Sequence, residues 1–144
     1  MSNVETLNTV LIRVYRSLLQ YAGECWPWAS ANAQSTEAAV RDMAAEEQRL
    51  AERVFHWLDG RLPVVDLGTY PDNSSLHFVS LSFLLRRIVS DHAELAACLK
   101  QARSAVVNDA PAAQLVAEAH AIVERHLTRL NELAAKSAHA EVAA

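Results

Sequence analysis

Between Gly60 and Ser74 the chain carries thirteen residues, RLPVVDLGTYPDN, with no helical period, and on both sides of them it carries little besides helical period. Pro63, Gly68 and Pro71 fall inside this stretch. Only three glycines and four prolines occur in the 144 residues. So few breaks leave room for long uninterrupted helices and argue against a β fold with many turns. The chain reads as all-α.

Four amphipathic stretches follow from the spacing of apolar residues. The first covers about residues 3–24, with a stripe of Leu7, Leu11, Val14, Leu18 and Tyr21; Arg13, Arg16 and Gln20 lie off it. Gly23 and Pro27 end it. The second covers about 36–59, with Ser35 as N-cap, Glu37 in the first turn and Gly60 at the C-terminal stop. Its stripe is Val40, Met43, Glu47, Leu50, Val54 and Leu58. The third covers about 75–104, along Leu81, Leu85, Ile88, His92, Leu95, Leu99 and Ala102. The fourth covers about 110–137, capped by Asp109 with Pro111 in its first turn, along Ala119, Val123, His126, Leu130 and Leu133. The tail, 138–144, has little to bury and is expected to fray.

Antiparallel helix neighbours are joined by about 2–8 residues. The aperiodic stretch is longer than that. Thirteen extended residues reach roughly 40 Å, and a 24-residue helix is about 36 Å long. The stretch is therefore a crossover that returns the chain to the other end of the bundle. The expected architecture is a four-helix bundle over residues 1–144, running up-down-down-up, in one domain.

Composition bounds the function. Hydrophobic residues make up 51% and charged residues 21%, so a core is available and the chain is not disordered. The net charge of −4 and the lack of a basic run point away from nucleic acid and anionic membranes. No apolar run nears the roughly 20 residues of a membrane span, and the first residues, MSNVETLNTV, have no signal-peptide pattern. The expected compartment is the cytoplasm. Cys25 and Cys98 form no CxxC pair and are expected to be reduced thiols. Trp26 and Trp28, flanking Pro27, are expected to cap one end of the core. There is no GxSxG, no glycine-rich phosphate loop and no Walker motif.

The feature to explain is Glu47, a carboxylate in an apolar seam. His92 and His126 also occupy seam positions, each near the middle of its helix. Mid-helix positions stay at one level whichever way a helix runs, so the three can meet at the midplane. Two histidines and a carboxylate suit zinc or non-haem iron. The same three groups also satisfy one another as a metal-free polar cluster. The other histidines carry less. His56 and His77 lie near helix ends, His120 and Glu124 share an off-seam face, and His139 is in the tail.

With EEQRL at Glu46 to Leu50 and VERHL at Val123 to Leu127, the chain resembles the ferritin-like superfamily, of rubrerythrin and bacterioferritin type. That resemblance implies a crossover bundle with Glu-x-x-His segments in its second and fourth helices and a di-iron site. Here Arg49 and Leu50 stand where His would follow Glu46 and Glu47. Val123 stands where Glu would precede His126, and no carboxylate lies near Val14. The expectation is a ferritin-like bundle without a complete di-iron site, acting as a non-enzymatic structural or interaction protein. The alternative is a metal-binding protein using Glu47, His92 and His126, with zinc or iron. Extra apolar residues, namely Phe78, Val79, Phe83 and Leu84 with Val10 and Leu19, predict a homodimer, unless Val64, Val65, Leu67 and Tyr70 of the crossover cover them.

Overall fold

The structure, a computed structural model, describes residues 2–24, 34–76 and 79–143, the side chains of 140–143 excepted. Among the described residues every regular element is helical: α1 (Asn3–Tyr15), α2 (Leu18–Glu24), α3 (Gln34–Asp59), α4 (Leu81–Ala105) and α5 (Ala110–Ala143). No helix among them is long and apolar enough to cross a membrane.

The expected first helix is broken in two. Ser2 opens α1 with a capping box, its hydroxyl taking the Glu5 N–H while the Glu5 carboxylate takes the Ser2 N–H. The helix stops at Arg16, and Ser17 starts the next by accepting the Gln20 N–H on its hydroxyl. The Leu18 N–H, exposed by the break, is taken by Asp91 of α4 at 3.0 Å. A carboxylate at a helix N-terminus also meets the positive end of its dipole. The break turns Gln20 inward. Expected off the stripe, it is buried, and its amide donates to the Ala44 carbonyl at 2.7 Å.

Other boundaries also differ. Gln34 is already helical, so Ser35 lies within the first turn of α3 instead of capping it. Gly60 lacks the positive φ of a left-handed stop. The end of α3 is closed by Arg61, whose guanidinium donates to the Trp57 carbonyl and lies 4.2 Å from the Trp57 ring centre. The third helix begins at Leu81, not near 75, because Ser80 is extended and caps the Phe83 N–H. A short 3₁₀ turn, Ser74–Leu76, precedes it. Asp109 caps α5 by taking the Ala112 N–H, as the sequence indicates. The tail expected to fray continues α5 to Ala143. Trp26, Trp28, Cys25, His77 and Phe78 lie outside the described residues. Among the described residues Cys98 forms no disulfide.

Two buried clusters fix the directions of the helices. One joins Leu7 and Leu11 with Val54 and Leu58, Leu99 and Val106, and Ala112 and Val116. The other joins Leu19 and Ala22 with Val40 and Met43, Leu84 and Leu85, and Leu130 and Leu133. The start of α1, the ends of α3 and α4 and the start of α5 therefore share one end of the molecule. The α1–α2 limb and α5 run one way, and α3 and α4 run the other. Residues 60–76 carry the chain back along the outside of α1 and α2. Asn8 holds this connector at both polar groups of the Asp66 backbone, and the Arg16 guanidinium donates to the Leu67 carbonyl. Farther along, the Tyr70 hydroxyl reaches Glu24.

Three residues assigned to a second apolar face, Val10, Leu19 and Leu84, are core residues. Phe83 stays partly exposed, and Val64 of the connector is 81% exposed.

Gly68 is the tightest point of the connector. It has a φ of 73°, and a Cβ there would sit 2.8 Å from Cγ2 of Ile12. Its N–H is taken by the Asp66 side chain. Gly68→Ala is predicted to cost about 1–3 kcal/mol, the strain of a left-handed non-glycine residue. Urea unfolding midpoints of the two proteins measure it.

Candidate functional site

The three seam residues named from the sequence meet. Glu47 of α3 and His92 of α4 are fully buried, and His126 of α5 is 3% exposed. A single carboxylate oxygen, Oε2 of Glu47, lies 2.6 Å from Nε2 of His92 and 2.5 Å from Nδ1 of His126. The meeting follows from the seams. Met43 and Leu50 flank Glu47 on α3, Ile88 and Leu95 flank His92 on α4, and Val123 and Leu130 flank His126 on α5, all buried. Each polar group is thus delivered to the centre by the apolar turns around it.

Two residues that sequence reasoning left out of the cluster complete it. Glu46 places Oε1 2.8 Å from Nε2 of His126, and Arg125 holds the other Glu46 oxygen at 2.6 Å. The signal was present in the adjacent pairs Glu46–Glu47 and Arg125–His126. Neighbouring residues on a helix are separated by 100° of rotation. When Glu47 and His126 point inward, their neighbours flank the α3–α5 seam and can pair across it.

The hydrogen positions follow from the donors. An ionised carboxylate only accepts, so the nitrogens facing Glu47 both carry hydrogen. His126 meets a carboxylate at each of its two nitrogens and is therefore the doubly protonated imidazolium. Burial alone would lower the His126 pKa; the bonds to Glu47 and Glu46 outweigh it and raise it above its ordinary value. Burial alone would raise Glu47, but the bonds from His126 and His92 hold it below the usual carboxylate range. The Arg125 guanidinium likewise holds Glu46 low. Two carboxylates, one imidazolium and one guanidinium balance in charge.

The cluster leaves two atoms over. Oε1 of Glu47 and Nδ1 of His92 are buried with no hydrogen-bond partner among the described residues. Leaving a polar atom so is costly, and most buried ones are paired. Glu47, His92 and His126 each offer a ligand atom, and these atoms lie within 4.8 Å of one another. A divalent ion replacing the two hydrogens that face Glu47 would meet two imidazole nitrogens and a carboxylate. His126 would keep its outer N–H on Glu46, the carboxylate support that metal-bound histidines usually have.

The other described histidines do not join this centre. His56 and His139 are exposed. His120 pairs with Glu124 at 3.2 Å and with Arg103 at 3.3 Å on the outer face. At the level of the cluster the α1–α2 limb supplies Val14 and Leu18 to the core and no carboxylate.

No protein-family model, curated protein or solved structure matches this chain.

Two predictions concern the metal-free protein. His126→Leu leaves Glu47 buried on one partner and is expected to cost about 3 kcal/mol. The double variant Glu47→Leu/His126→Leu should lose less than the sum of the singles, with a coupling of about 0.5–3 kcal/mol in chemical unfolding. Additive losses would mean that the two side chains do not touch.

The second prediction is the pH dependence of stability. The Glu47 contribution is present above its ordinary value of 4.5 and disappears as the pH falls toward the lowered folded value. The His126 contribution is present below 6.5 and disappears as the pH rises through the raised folded value. The cluster therefore stabilises most between pH 4.5 and 6.5. The difference in unfolding free energy between wild type and the double variant, measured across pH in chelator, should be greatest in that window.

Proposed function

We propose that the chain is a metal-binding helical bundle that holds one divalent ion, zinc or iron(II), between Glu47, His92 and His126. The observation that carries this reading is the convergence of three ligand-type side chains, from three helices, on one enclosed point. Two imidazoles and a carboxylate are a donor set for zinc or non-haem iron. The unpartnered Oε1 of Glu47 and the Glu46–Arg125 support behind His126 are what such a centre needs around it.

The reading extends to ancestry. The direction pattern of the limbs and the long connector between α3 and α4 support a ferritin-like bundle in which a two-ion site has been reduced to a one-ion site. A pair of bridged ions needs further carboxylates to balance its charge, and α1–α2 offers none at that level. Oxidase or iron-storage chemistry is therefore not part of the proposal.

A second reading keeps the bundle metal-free, as a structural or interaction protein that pairs with a second copy of itself. One observation favours it: among the described residues Nδ1 of His92 has no acceptor behind it, whereas a metal-bound histidine usually does. The partly exposed Phe83 and the exposed Val64 supply apolar surface for self-association.

Metal content of protein purified without chelator or affinity tag separates the two. The metal reading predicts close to one zinc or iron per chain, lost in His126→Leu. Stripping the metal should lower the melting temperature, since an ion bound only by the folded state stabilises it by mass action. Metal-free protein whose melting temperature ignores added zinc would leave the structural reading standing.

A further inference from the structure

We infer that the centre has no open coordination position: Glu47 contributes both carboxylate oxygens, His92 and His126 one nitrogen each, and the ion is a structural zinc that ties three helices together. This inference rests on the metal-binding reading above and adds to it the class of site.

Three observations carry it. The first is Oε1 of Glu47, fully buried with no partner among the described residues while Oε2 serves both imidazoles. A carboxylate that binds an ion through both oxygens uses that atom. Together with the two nitrogens, it brings the protein donors to four, the number of a closed structural zinc site.

The second is access. Four cavities beside α1, α2 and the connector reach Gln48, Ala44 and Asp91, neighbours of the cluster, and none of the four is lined by Glu47, His92 or His126. A catalytic zinc keeps a water or substrate in an open position, and a non-haem iron oxygenase keeps several. Either needs room at the ion that small molecules can reach. Here the turns on either side of the ligands are the buried apolar residues Ile88, Leu95, Val123 and Leu130, and Glu46, paired with Arg125, covers Nε2 of His126.

The third is the mechanical position of the ligands. They come from α3, α4 and α5, one from each, near the middle of helices of 26, 25 and 34 residues. An ion there joins three of the four limbs at their midpoints. The α1–α2 limb supplies no ligand and is fastened by other means, the Asp91 bond to Leu18 and the connector.

Cobalt(II) substitution tests the inference, because Co²⁺ takes zinc's place with the same charge and reports its coordination in its visible spectrum. Wild-type protein is stripped with chelator, loaded with Co²⁺, dialysed and titrated with azide. The expected result is retained cobalt with the intense bands of a four-coordinate ion, unchanged by azide. Bands that shift with azide, or the weak bands of a six-coordinate ion carrying water, would overturn the closed site while leaving metal binding intact. Cobalt lost on dialysis, or retained equally by His126→Leu, would overturn the metal reading itself.

Discussion

The structure depends on one buried carboxylate oxygen shared by two imidazoles. Oε2 of Glu47 lies within hydrogen-bond distance of His92 and His126 in an interior built mainly of Leu, Ile, Val and Ala. Removing a carboxylate from water is expensive, and only close, well-directed partners offset it. The three groups must stand at one level, so the longitudinal registers of α3, α4 and α5 are tied together. A slide of one turn along any of them, about 5.4 Å, would strand a charge in the core. The cluster therefore works against alternative packings of helices whose apolar stripes alone would tolerate several registers.

That requirement reaches back to the connector. α3 and α4 run in the same direction, which a short turn cannot arrange. Residues 60–76 solve this by travelling along the outside of α1 and α2, latched by Asn8, Arg16 and Glu24. The same limb bends where Asp91, one residue before His92, takes the Leu18 N–H. The break in the first limb and the position of a cluster histidine are thus fixed by neighbouring residues of α4. The limb that offers no ligand still helps to hold the helix that offers one.

Much of this was legible in the sequence, and the parts that were not have a common physical cause. The seams of α3, α4 and α5 follow from apolar spacing, and polar residues at seam positions near mid-helix were bound to face the same interior. The break at Ser17 was hidden because the group that completes it, Asp91, is 73 residues from Leu18 along the chain. The start of α4 was hidden because LHFVSLSFLL is apolar on every face, so periodicity gives no boundary and only the Ser80 cap sets it. Gln20 was placed outside because a continuous helix puts it there; the break changes its phase. Glu46 and Arg125 lie off the apolar seams, and their pairing across the α3–α5 seam is a property of the assembled helices.

The central claim is that Glu47, His92 and His126 form a single metal centre. The most direct measurement is the ¹⁵N NMR spectrum of the histidine side chains in chelator-stripped protein as Zn²⁺ is added. The account predicts that Nε2 of His92 and Nδ1 of His126 lose their hydrogens and move together to metal-bound shifts, complete at one equivalent, with His56 and His120 unchanged. A spectrum in which His92 and His126 keep their hydrogens on Glu47 while zinc is in excess would contradict it.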